Sequence, residues 1–249
     1  MSTSYKQGAE THPVIPFQRD CKVCELSSGK AVNGCGPDDL TKVRLIVISD
    51  HTGHYEEEEN YTFVSNDDRR IPLKRKNGRM RPEGFRNAGS TLRHELRKLG
   101  LDSYEEVWLT NAIKCNPAQV KPQEKHAKLC TRTWLKQELA LLDEYCPKVP
   151  ILIAGSIAYK SLQELAPELK TSLPKLRDCR RTNHYKFRNH PLVFTYNPAA
   201  VKPFRIETQY QTNRDFTLDV TQVMDIEPPI IGSPIWHFRK DLEFLIPFL

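Results

Sequence analysis

The residue types best suited to chemistry in this chain of 249 residues are its seven cysteines: Cys21, Cys24, Cys35, Cys115, Cys130, Cys146 and Cys179. Cys21 and Cys24 form a C-x-x-C pair, and fourteen residues separate Cys115 from Cys130. Thiolates are soft ligands suited to zinc or to iron–sulfur clusters. The N-terminal stretch MSTSYKQGAETHPVIP lacks the apolar core of a secretory signal, and an odd cysteine count there argues against a disulfide framework. Metal ligation by Cys21, Cys24, Cys115 and Cys130 is the better reading. Cys35, Cys146 and Cys179 read as buried structural thiols. Spacing alone does not separate zinc from iron–sulfur.

Charge is segregated along the chain. Seven of the thirteen residues from Arg69 to Arg81 are basic (Arg69, Arg70, Lys74, Arg75, Lys76, Arg79 and Arg81), and none is acidic. Glu56 to Glu59 is a run of four acids, and the net charge is +6. Such a basic run either stays solvated or lies along a phosphate backbone, where each cation displaces a counterion. A nucleic-acid partner is permitted by this balance without being required.

The remaining sequence supplies elements that position these groups. The runs at Val43–Ser49, Val107–Ile113, Ile151–Ala154 and Leu192–Tyr196 are short, apolar and rich in β-branched residues, as buried parallel strands are. Between them the pattern predicts a helix with Ser90 as N-cap, Leu92, Leu96 and Leu99 on its apolar face and Gly100 at its end. A long helix is expected over 124–145 with Leu129, Leu135, Leu139 and Leu142 inward, another over 156–165 and a last one within 206–226. Residues 60–83 read as a basic loop. Strands alternating with helices imply an α/β fold, with ligands bound at the carboxyl ends of the strands. The segments SDHTGHYE, TNAIKC and YNPAAVKPF fall there. No apolar run approaches the length of a membrane span.

The order of motifs resembles a known family. CxxCxL is followed by a strand ending in a short glycine-containing acidic motif, then GF-x-x-AG-x-x-L, TNAIKC-x14-C, AG-x-x-A and TYNPAA. From about residue 21 to 225 this is similar to the family-4 uracil-DNA glycosylases. The resemblance implies a three-layer α/β/α sandwich around a four-stranded parallel sheet. It also implies a 4Fe-4S cluster on Cys21, Cys24, Cys115 and Cys130. Asn111 matches the asparagine that reads the pyrimidine edge, and Phe85 is placed like the aromatic that stacks on the flipped base. Gly53 and Glu56 match a glycine and an acid of the first motif.

Two departures stand out. Asp50 occupies the family's acid position with one methylene fewer, and His51 replaces a small residue beside the base pocket. Asn197 stands where the family has histidine, and an amide cannot carry a positive charge. The chemistry implied is hydrolysis of the N-glycosidic bond of uracil, or of another altered base, flipped out of DNA. Asp50 would orient water or stabilise the sugar cation, and Asn197 and His51 would donate to the departing base. Taken singly, Asp50 also reads as a capping group and Asn197 as a turn former. No lysine stands at a nucleophile position, so the expected enzyme is monofunctional, without a lyase step. Val201 or Phe204 would be an apolar wedge, with Lys202 on the DNA phosphates.

The alternative is an inactive glycosylase-fold DNA-binding module, a replication or repair accessory. Either way the expectation is a monomeric cytoplasmic protein bound to DNA, single- or double-stranded, with no membrane association and room for a replication or repair protein as partner. The expected organisation is a flexible lead-in over 1–19, the glycosylase-like domain over 20–226 with its basic insertion at 60–83, and an extension over 227–249 packing back on it.

Overall fold

The computed structural model describes residues 21–26, 31–53, 56, 62–63, 87–116, 122–169, 175–180, 184–201 and 233–249. Its centre is a five-stranded sheet of β1 (Leu45–His51), β2 (Val107–Ile113), β3 (Ile151–Ala154), β4 (Lys186–Phe187) and β5 (His190–Thr195). The spatial order is β2-β1-β3-β5-β4. The first four in that order run parallel, and β4 pairs antiparallel to β5. The expected four-stranded sheet is therefore corrected by one edge strand. Two residues are too few to show a period, and the tight reversal is made by Arg188 in the left-handed region, at φ 52°.

Side-chain alternation along β1 shows why helices cover both faces. Ile46 and Ile48 join one core with Trp108, Ile151, Ile153 and Phe194. Leu45 and Val47 join another with Leu109, Leu152 and Val193. A strand buried on both sides has no polar face, which explains its unbroken apolar reading. The first core is closed by α3 (Lys136–Tyr145) and α4 (Ser156–Leu165). The second is closed by α1 (Ala88–Lys98) and α6 (Pro234–Glu243). A four-residue turn of helix, α5 (Leu176–Cys179), precedes β4.

Several local expectations shift. The cap of α1 is Asn87, whose side chain accepts the Ser90 N–H at 2.8 Å; Ser90 itself lies inside the helix, fully buried. The long helix divides into α2 (Glu124–Cys130), a π-turn (Thr131–Leu135) and α3. One wider turn lets Cys130 face the cysteine segment while Leu135, Leu139 and Leu142 face the sheet. Leu129 points outward, 37% exposed, rather than inward. Residues 206–226 and the lead-in over 1–19 lie outside the described residues. Helix α6 begins at a Ser233 cap and buries Ile235, Phe238 and Leu242, as an amphipathic tail should. Among the described residues no helix is long and apolar enough to cross a membrane.

Candidate functional site

Three strand ends converge at the carboxyl edge of the sheet. Asp50 and His51 close β1, Asn111 lies near the end of β2, and Asn197 follows β5. Both oxygens of the half-buried Asp50 carboxylate accept hydrogen bonds. Its Oδ1 accepts the backbone N–H groups of Ile157 (2.8 Å) and Ala158 (3.1 Å) in the first turn of α4. Its Oδ2 accepts from Asn197 Nδ2 at 3.1 Å. Helix N-termini leave such donors unpaired and attract a negative charge. Asp50 is thus a cap supplied from another strand. Gly155, the residue before α4, has φ +121°, and a Cβ there would overlap the Asp50 carboxylate.

Asn197 is equally occupied. Beyond Asp50, its Nδ2 lies 3.4 Å from Ser49 Oγ, and its Oδ1 accepts the Ala199 N–H at 2.8 Å. The structure thus joins Asp50 and Asn197 as partners of each other. His51 is half-buried, and its Nδ1 donates to the Thr52 carbonyl at 3.1 Å. In the neutral ring this leaves Nε2 as an acceptor.

A second group lies beside this latch. Glu56 accepts the backbone N–H groups of Gly53 and Phe63, and the Asn111 side chain and His51 lie nearby. Burial outweighs these contacts and pushes the Glu56 carboxyl above its ordinary 4.5. Asn111 is 1% exposed; its side chain interacts with the Glu56 carboxylate, but its Nδ2 lacks a hydrogen bond of good geometry to any described residue. A buried amide whose donor is only loosely engaged gains when a ligand completes it.

Because its folded pKa is raised, Glu56 keeps a proton that the unfolded chain would release. Its contribution therefore favours folding below about pH 4.5 and is lost as pH rises through the raised value. Denaturant unfolding across pH should show the wild-type stability falling relative to Glu56→Gln as pH rises. A flat or rising difference would contradict this.

Phe63 is the residue that the sequence pattern concealed. It sits in a stretch read as a polar basic loop, yet it is 4% exposed and adopts φ 56°. Its carbonyl accepts from Arg93 Nε at 3.1 Å, and buried Arg93 also reaches Ser103 O at 3.0 Å. Bonds on both sides of its peptide hold this strained residue against Glu56. A phenylalanine seven residues after Glu56, within an otherwise polar run, was the available signal.

Val201 is corrected. It is 1% exposed and packs in the core that α1 and α6 close, so it is not presented to DNA. The short turn Pro198–Val201 folds it inward. Phe85, Arg69, Arg70, Lys74, Arg75, Lys76, Arg79, Arg81, Lys202 and Phe204 lie outside the described residues.

Three of the four paired cysteines belong to a third buried cluster, and the fourth borders their sulfurs. Cys21 and Cys115 sit in it with Leu26, Ala31, Ile113 and Ala127, and Cys24 packs against it. Cys130 Sγ accepts the Lys114 N–H at 3.3 Å and lies near the sulfurs of Cys21 and Cys24. Trp134 Nε1 donates to Cys21 Sγ at 3.4 Å. Burial pushes the Cys130 thiol up to about 11, so a cationic centre is what would ionise it at neutral pH. None of the seven cysteines is in a disulfide. Among the described residues no three ligating side chains are grouped closely enough to grip a single ion. The donor set itself, four thiols with N–H groups aimed at two sulfurs, fits a soft centre. Cys146 and Cys179 are buried in the main core, as expected of structural thiols, while partly buried Cys35 donates to Thr62 O at 3.3 Å.

The cysteine region is braced further. Glu25 pairs with Lys125 and with His126 Nε2 (2.9 Å), tying the C-x-x-C segment to α2. Lys114, 1% exposed, pairs with buried Glu138, which also accepts from Trp108 Nε1 at 2.8 Å and Thr110 Oγ1 at 3.0 Å. A buried ion pair satisfied this fully fixes the end of β2 rather than acting on a ligand.

A model of the Uracil DNA glycosylase superfamily matches residues 37–217. That span takes in all four parallel strands and the Asp50, Asn111 and Asn197 segments. The chain therefore belongs to the uracil DNA glycosylase superfamily.

Proposed function

We propose that this protein is a monofunctional DNA glycosylase that receives a flipped uracil or related altered base against Asn111 and hydrolyses its N-glycosidic bond. The observation that carries this reading is the buried Nδ2 of Asn111 at the carboxyl end of β2, which beyond its approach to Glu56 has no well-formed hydrogen bond among the described residues. An amide offers a pyrimidine edge both a donor and an acceptor, and a ligand would complete it. Glu56 orders the wall around it by holding Gly53 and Phe63. Phe63 backs that wall from the core that α1 and α6 close, and Phe85 takes the stacking role. His51 Nε2 faces the task of handling a proton or water near the leaving base. Asp50 and Asn197 act by holding the β1 and β5 ends and α4 in register.

Cys21, Cys24, Cys115 and Cys130 would hold a 4Fe-4S cluster. Its role is a covalent cross-link between the N-terminal segment, β2 and α2. The partner is DNA, with the basic residues 69–81 and Lys202 on its phosphates.

One observation favours the second reading, an inactive DNA-binding accessory: both Asp50 oxygens already accept hydrogen bonds from α4 and Asn197, which leaves a single lone pair on Oδ2 for water. Cleavage of a fluorescent uracil-containing oligonucleotide, single- and double-stranded, decides between them. Asn111→Leu should lower cleavage by about 10²–10³-fold with only a modest loss of stability, since of its described partners it removes the interaction with the Glu56 carboxylate. Tight DNA binding with no abasic product from wild type would establish the accessory reading.

A further inference from the structure

Tyr196 separates two pinned residues. Before it, Thr195 Oγ1 donates to Asp241 Oδ2 at 2.9 Å. After it, Asn197 is held by Asp50. The ring is held as well, since the Arg180 guanidinium carbon lies 3.4 Å from its centroid. Arg180 in turn makes a bidentate pair with Asp241, at 2.6 and 3.0 Å. Arg180 and Asp241 are buried, at 8% and 4% exposure, whereas Tyr196 is 39% exposed. A buried salt bridge is thus used to fix an exposed aromatic beside the candidate site. Asp241 belongs to α6, which lies beyond the residues 37–217 that the superfamily model matches.

We propose that Tyr196 is a stacking platform for an unpaired nucleobase of the DNA strand next to the flipped one, and that α6 belongs to the DNA-binding face through the Asp241–Arg180 clamp. Every nucleobase offers a flat π-face, and a ring already immobilised loses little entropy when a base stacks on it. The guanidinium covers one face of the ring, which leaves the remaining exposed surface for the base. A strand with splayed bases is the occupant that matches a single rigid aromatic. The inference rests on the DNA reading above.

The test uses the full chain and a short single-stranded oligonucleotide with a fluorescent adenine analogue beside the uracil, whose emission falls on stacking. Wild type should bind it and quench the emission. Tyr196→Phe should keep both properties, whereas Tyr196→Ala should lose the quench and weaken binding by roughly 5- to 150-fold. Circular dichroism should be the same for all three proteins, since the altered ring is exposed. If wild type binds or cleaves the oligonucleotide and Tyr196→Ala matches it in affinity and emission, the platform is refuted while the glycosylase reading stands. If wild type neither binds nor cleaves DNA, both fall together.

Discussion

Asp50→Ala is expected to lower the unfolding free energy by about 2–4 kcal/mol, as a lost helix cap together with a stranded amide donor would. Three donors lose their acceptor at once: the Ile157 and Ala158 N–H groups and Asn197 Nδ2. Gly155→Ala should act in the same direction, because its new methyl group meets the same carboxylate and its φ of +121° disfavours any side chain. Asp50→Asn is the sharper test. Its amide oxygen can still cap α4, but its NH₂ group then faces the NH₂ group of Asn197. Pairing it with Asn197→Asp restores one donor and one acceptor and should recover part of the stability. Denaturant unfolding of the single and double variants measures that coupling. If Asp50→Asn kept full stability and lost only base excision, the carboxylate would be acting on water and the latch would be the wrong account.

Cys24→Ser and Cys130→Ser should each yield colourless, iron-poor protein, whereas anaerobically purified wild type should absorb in the visible and carry roughly four irons per chain. The stability lost should be on the order of several kcal/mol, since the binding energy of such a centre is also folding energy. It should concentrate in the Cys21–Leu26 segment. Without the centre, that segment keeps only a small apolar cluster and the Glu25 clasp to Lys125 and His126. The hydrogen bonds from those two residues hold the Glu25 carboxyl down at about 2. The clasp's contribution is therefore present above 4.5 and is lost only as pH falls through about 2. Cys35→Ser, Cys146→Ala and Cys179→Ala are the controls, and all should retain the colour. Colourless, iron-free wild type from anaerobic purification would rule the cluster out.

Both predictions depend on contacts between distant parts of the chain, and this marks the limit of what could be read beforehand. Strands β2 and β3 and helix α4 lie where their apolar patterns put them, because burial imprints a period on neighbouring residues. Strand β1 lies two residues later than its apolar run suggested. Its last two residues, Asp50 and His51, are polar and belong to the ladder because β2 offers a partner at Ile113.

The chemical states of the site residues were decided elsewhere. Asp50 looks the same in sequence whether it faces water or caps a helix more than a hundred residues away. Only packing brings Ile157, Ala158 and Asn197 to it. Val201 carries the apolar character of a wedge and of a core residue alike, and the turn after β5 selected the core. Phe63 was hidden because its order comes from Glu56 and Arg93 rather than from any periodic neighbour.

The sequence by itself determined the order of the four parallel strands and the superfamily, since hydrophobic spacing and motif order are local along the chain. The tertiary structure alone decided which carboxylates serve the scaffold and which buried amide lacks a well-formed partner. Hydrogen-bond saturation depends on every group within about 3 Å, whatever its place in the sequence.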